Sequence, residues 1–180
     1  MGAIGEEYKT VKKIVILGPE STGKTDLCRA LSSHFSEPWI PEYAREYMEA
    51  LNRDYTYDDV ELIARQQLRE QQEAPQLYAN AKYLFFDTDL VITKVWFLHK
   101  FNRTPDWLQS ALESSEVDLY LLCKPDIPWE YDPVRENPEL RDYLYEWYQR
   151  ELEMLGRACV AIGGLGKERL HQAITAIQKL

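Results

Sequence analysis

Short runs of apolar residues alternate along the chain with longer stretches whose apolar positions recur every three or four residues, the pattern of a parallel sheet covered by helices. Residues 13–17, Lys-Ile-Val-Ile-Leu, form a β-branched run that stops at Gly18. Residues 25–35 repeat Leu27, Ala30, Leu31 and Phe35 at helical spacing. Further strands are predicted at 39–40, 83–87, 117–123 and 158–162. Further helices are predicted at 58–80, 90–101, 106–114, 139–155 and 167–180, with Thr104 as N-cap and Pro105 at the first position of the fourth. Between 125 and 138 the prolines Pro125, Pro128, Pro133 and Pro138 exclude a regular helix and mark a loop or small lid. The expected architecture is α/β: a P-loop fold with a five-stranded parallel sheet, helices on both faces, residues 1–12 as a tail and 13–180 as one domain.

Composition narrows the function. At 180 residues, 45% hydrophobic and 28% charged, the chain falls in the globular class. Its net charge of -9 argues against a duplex-binding face, which needs clustered Lys and Arg. No run approaches the roughly 20 apolar residues of a membrane helix, and the charged start lacks an export signal. No nucleic-acid or membrane partner is therefore expected, the cytoplasm is the expected location, and a homo-oligomer is left open. Cys28, Cys123 and Cys159 lie far apart among apolar residues and read as buried free thiols. His34, His99 and His171 read as surface or packing residues.

The chemistry concentrates after the strands. Gly18-Pro-Glu20-Ser21-Thr22-Gly23-Lys24-Thr25 satisfies G-x-x-x-x-G-K-[ST] between a strand and a helix. Such a loop turns its backbone amides, and the helix N-terminus behind them, toward a phosphate chain. ATP is the expected nucleotide, bound through this loop and Asp26, with the glycine-rich turn at Gly164 near the adenine. Lys24 would reach the terminal phosphates and the Thr25 hydroxyl would ligate Mg²⁺. Asp87, ending the third strand, would hold the same metal through water, and Asp89 either faces the acceptor or caps the next helix. After the second strand, Glu42 and Arg45 face the acceptor side or begin a salt-bridged surface helix. In the proline-punctuated segment, Arg135 is the candidate to meet the transferring phosphoryl group. Trp129 covers a flat ring or anchors the loop. Either Glu42 or Asp87 would accept the proton of the attacking hydroxyl.

These motifs in this order, the phosphate loop, Glu42-Tyr43-Ala44-Arg45-Glu46, Asp87-Thr88-Asp89 and Trp129…Asp132…Arg135, resemble the ribosylnicotinamide kinase domain of the bacterial NAD-biosynthesis regulator, a family similar to deoxynucleoside kinases. The resemblance implies ATP- and Mg²⁺-dependent phosphorylation of the ribose 5′-hydroxyl of nicotinamide riboside. It also places Glu42, Tyr43, Arg45, Asp89, Trp129 and Asp132 on the acceptor side and Arg135 on the lid. The regulator's adenylyltransferase and helix-turn-helix signatures are not found in these residues, so a stand-alone kinase is expected. The alternatives are a kinase of another nucleoside or vitamin, or a regulatory P-loop NTPase.

Overall fold

The computed structural model describes residues 11–130 and 138–180. Among them one parallel sheet runs in the order β2-β3-β1-β4-β5, formed by β1 (Lys12–Leu17), β2 (Trp39–Ile40), β3 (Tyr83–Asp87), β4 (Leu119–Cys123) and β5 (Cys159–Ile162). The helices are α1 (Lys24–Phe35), α2 (Tyr43–Ala50), α3 (Tyr57–Leu77), α4 (Leu90–Phe101), α5 (Asp106–Ser114), α6 (Arg141–Met154) and α7 (Lys167–Ile177).

Alternation along the strands decides which helix packs where. Val15, Leu17, Leu84, Phe86, Tyr120 and Leu122 point to one face, where they meet apolar residues of α3, α4, α5 and α6. Ile14, Ile16, Phe85, Leu119 and Leu121 point to the other, against Leu27, Cys28 and Leu31 of α1 and Ala173 and Ile177 of α7. Because β1 is buried on both faces, its run is continuously apolar rather than alternating. Its register sets Ile16 opposite Asp87 of β3 and Leu17 opposite Leu122 of β4. The carboxyl ends of the three central strands therefore share one edge.

Several local expectations change. α2 occupies residues read from the sequence only as a possible helix start; it is eight residues long and none is fully buried, too little for an apolar period to show. α5 begins at Asp106 with Pro105 as N-cap and no side-chain cap, so Thr104 does not cap it. The sixth helix is preceded by a 3₁₀ turn at Pro138–Leu140 and starts at Arg141. Cys28 and Cys123 are buried free thiols, whereas Cys159 on the edge strand β5 is exposed.

The start of α3 is the strongest local anchor. Thr56 is its N-cap, its hydroxyl accepts the Asp59 amide, and the Asp59 carboxylate accepts the Thr56 N–H at 2.7 Å, a reciprocal box. The same carboxylate accepts from Arg53 at 2.7 and 2.8 Å and from the Tyr47 hydroxyl at 2.7 Å. One acid thus pins α2, the 51–56 loop and α3 together. The Arg53 guanidinium foremost, then the Tyr47 hydroxyl, hold Asp59 far below the usual carboxylate range. A depressed folded pKa contributes stability above the unfolded value of about 4, and that stability is lost as pH falls below it. Asp59→Ala should lose about 2 kcal/mol in urea unfolding at neutral pH, and its deficit against wild type should shrink as the titration is repeated below about pH 4.

Candidate functional site

The loop between β1 and α1 places glycine at two positions of positive φ. Gly18 has φ +149°, and a Cβ there would lie 2.7 Å from the Cys123 carbonyl oxygen, so the loop packs directly on the end of β4. Gly23 has φ +73° and starts α1 as its N-cap. Within the loop the Thr22 hydroxyl and the Lys24 ammonium both donate to the Pro19 carbonyl at 2.8 Å. The loop closes around its own backbone with Lys24 facing the cleft.

At the end of β3, Asp87 accepts the Thr25 hydroxyl at 2.6 Å through Oδ2. Its Oδ1 is buried and has no hydrogen-bond partner among the described residues. Burial raises the Asp87 pKa, and the neighbouring Lys24 charge opposes that rise. A buried carboxylate with one oxygen unmatched beside a loop threonine suits a hydrated divalent cation. Mg²⁺ keeps most of its ligands as water and phosphate, so Thr25 and Asp87 would be sufficient protein partners.

One cleft of about 460 Å³ opens over this arrangement. Gly18, Glu20, Ser21, Thr22, Gly23 and Asp26 of the loop and first turn line one end, together with Lys24 and Thr25. Glu42, Arg45 and Met48 from α2 form a side wall. Tyr55, Ile92, Val95, Trp96, His99 and Lys100 line the far end, and Leu144 and Tyr148 of α6 also line the cleft. Tyr55 and Trp96 meet edge to face at 5.1 Å between ring centres. The expected loop residues, Glu42 and Arg45 therefore share one cavity with Thr25 beside Asp87. Arg45 lines this cavity and also makes the i,i+4 pair with Glu49 at 3.3 Å.

Other expected residues sit elsewhere. Asp89 is 1% exposed and does not line the cleft. It caps α4 by accepting the Val91 N–H at 2.9 Å and accepts the Tyr120 hydroxyl at 2.7 Å. Burial lifts it to about 6 against the pull of those two bonds. Tyr43 pairs with Tyr47 at 6.2 Å rather than lining the cavity. Trp129 is half-buried outside the lining, although the next residue ties the segment to the loop through Glu130 N–H to Ser21 Oγ at 2.9 Å. Gly164 also lies outside the lining; its N–H donates to Asp126 at 2.7 Å. Asp132 and Arg135 lie outside the described residues.

Sequence reasoning missed the far wall, because Tyr55 stands between helices and Trp96 and His99 on α4 looked like ordinary packing positions. It also missed Arg169, which is 5% exposed. Its guanidinium donates to the Thr22 carbonyl, to Gly164 O and Lys124 O at 3.1 Å each, and to the Asp126 carboxylate. One planar fork on α7 thus ties the phosphate loop to the loops after β4 and β5, a geometry that lysine cannot copy.

A parallel sheet with this loop, a strand-end acid beside its threonine and a cleft over both defines a P-loop protein of the kinase type. The family model described as "AAA domain" matches residues 13–169, and the chain belongs to that family. The chain is similar to the trifunctional NAD biosynthesis/regulator protein NadR of Escherichia coli (strain K12), with 32% identity over 129 residues, and equally to that of Salmonella typhimurium. That match covers 69% of this chain and 31% of the relative, so the chain spans about a third of the curated relatives' length. A crystal structure of NadR protein in complex with NR superposes with a TM-score of 0.83 at 28% identity, covering 94% of this chain and 51% of that one. A second, in complex with NAD and AMP-PNP, gives 0.79 at 28% identity, covering 94% and 49%. Thymidylate kinase from Candida albicans shares the fold, with a TM-score of 0.69 at 18% identity over 94% of this chain and 92% of its own.

Arg169→Lys should unfold more easily than wild type, because buried carbonyls lose their partners. The expected loss is about 2–4 kcal/mol, read by denaturant titration, with weaker ATP binding in the same samples. Unchanged stability would mean that these contacts do not brace the loop.

Proposed function

We propose that the chain phosphorylates the ribose 5′-hydroxyl of nicotinamide riboside with ATP and Mg²⁺, giving nicotinamide mononucleotide for NAD biosynthesis in the cytoplasm. The observation that carries this reading is the single cleft in which the phosphate loop continues into an aromatic end wall. The likeness over 94% of the chain to a structure in complex with NR supports it.

The chemistry needs positioning and charge neutralisation more than covalent help. The loop amides and Lys24 hold the triphosphate, and Thr25 and Asp87 would hold Mg²⁺, which screens the charge on the β- and γ-phosphates when bound. The acceptor's ring lies toward Tyr55 and Trp96, placing its 5′-hydroxyl near Glu42. Glu42 is assigned as the base because it lines the cleft, whereas Asp87 is buried and assigned to the metal side. The 5′-oxygen bonds to the γ-phosphorus, the bond to the β–γ bridging oxygen breaks, ADP leaves, and the hydroxyl proton passes to Glu42. Arg135 is assigned the developing charge on the transferring group. With Asp89 turned inward, attraction for a cationic pyridinium ring falls to the faces of Tyr55 and Trp96.

The test is ATP consumption measured against a panel of nicotinamide riboside, other nucleosides and vitamins. Nicotinamide riboside should be consumed one for one with ATP; equal ATP use with no acceptor would support an NTPase instead. On the true acceptor, Lys24→Ala should cost on the order of a hundredfold in turnover with the fold intact by circular dichroism. Arg135→Ala should lower kcat while leaving the acceptor KM near wild type, since its contact belongs to the transition state. A wild-type kcat in that variant would remove Arg135 from the mechanism.

A further inference from the structure

The turn that follows Asp87 is strained, and the strain is held by residues outside the cleft. Thr88 has φ +72°, a left-handed conformation that a β-branched residue adopts only when its surroundings over-determine it. It is 4% exposed and lies between Asp87 and the helix cap Asp89. Its N–H donates to the Ile16 carbonyl at 3.0 Å, extending the β1–β3 ladder past Asp87. Its hydroxyl accepts the Gln67 Nε2–H at 3.3 Å. The Gln67 Oε1 in turn accepts the Thr93 hydroxyl at 2.5 Å.

Gln67 sits on α3 and Thr93 on α4, 6% and 1% exposed, so this clamp is dry. An apolar residue at position 67 would bury as well without any desolvation cost, and the polar choice therefore asks for a purpose. The clamp grips the residue after Asp87, whose N–H bond to Ile16 fixes the peptide plane on the carboxyl side of Asp87. If Thr88 shifted and its N–H left Ile16, that peptide plane would turn and Asp87 would lose its set against Thr25.

We propose that Gln67 is a positioning residue for Asp87: gripped by Thr93, it fixes the Thr88 turn so that Oδ1 faces a hydrated Mg²⁺ beside Thr25. The inference rests on the metal-side assignment of Asp87 in the proposed function, but not on the identity of the acceptor. A merely structural tie between α3 and α4 would predict altered stability and an unaltered response to metal.

The test is calorimetric titration of the folded protein with ATP, in excess Mg²⁺ and again in EDTA, with no acceptor present. Gln67→Leu and Thr93→Val should each bind ATP about tenfold more weakly in Mg²⁺, the scale of losing a metal ligand's support. Both should match wild type in EDTA. Thr93→Ser restores the hydroxyl and should recover most of the Mg²⁺-dependent affinity. If Gln67→Leu does not fold, Thr93→Val decides. Unchanged affinity in Mg²⁺, or an equal loss with and without it, would overturn the proposal. Because no acceptor enters the titration, failure to phosphorylate nicotinamide riboside would sink the kinase assignment without touching this result.

Discussion

The rest of the molecule depends on how β1 is paired. It lies between β3 and β4, parallel to both, so the chain must turn at the same edge after each of these strands. At that edge the first turn becomes the phosphate loop, the second presents Asp87, and the third supplies the Cys123 carbonyl on which Gly18 packs. The bond from the Thr25 hydroxyl to Asp87 closes the arrangement across strands adjacent in space and far apart in sequence. A one-step slip of β3 against β1 would turn its inward residues to the opposite face and move Asp87 off the threonine. Register is therefore a functional quantity here, and the two apolar faces of the sheet enforce it.

The same logic explains the cleft's second half. α4 and α6 pack on the face built from Val15, Leu17 and Phe86, α2 packs against α3, and all three contribute to the cleft lining. Asp59 fixes α2 against α3 from outside the cavity, and Asp89 fixes the start of α4 from beneath it. A buried acid paired with a tyrosine is well suited to that second task. It satisfies a helix-terminal amide where water does not reach, so its chemistry is spent on the fold.

Strands and most helices were legible because each carries a period or a continuous apolar run, and the phosphate loop was legible because its glycines, lysine and threonine sit in one short window. Asp87 was legible as the acid that ends a buried run. Asp89 was harder: a strand-end acid before a helix can serve as cap or as ligand, and only the position of Tyr120, distant in sequence, distinguishes the two. Arg169 and Gln67 were invisible for a related reason. Each is a single polar residue on a helix, and its partners, carbonyls, hydroxyls or the Asp126 carboxylate, come from other elements. α2 lacked a buried stripe, and the far wall of the cleft is assembled from residues that look like core until the topology leaves them uncovered.

An acidic chain can still draw in a polyanion because charge acts locally. At physiological salt, fields fade within about 8 Å, so the net charge of -9 says little about the interior of one cavity. Inside it, Lys24, Arg29, Arg45 and Lys100 stand with Glu20, Asp26 and Glu42. Loop amides and the N-terminus of α1 add fixed positive potential at the phosphate end. At the opposite end Tyr55, Trp96, Ile92 and Val95 add apolar surface beside His99 and Lys100. Under the proposed function, the contrast between the loop and the aromatic pair Tyr55 and Trp96 would orient a nucleoside with its sugar hydroxyl toward the phosphates. The orientation requires both ends in one cavity, which the short α2 supplies by bridging them with Glu42 at its start and Met48 near its finish.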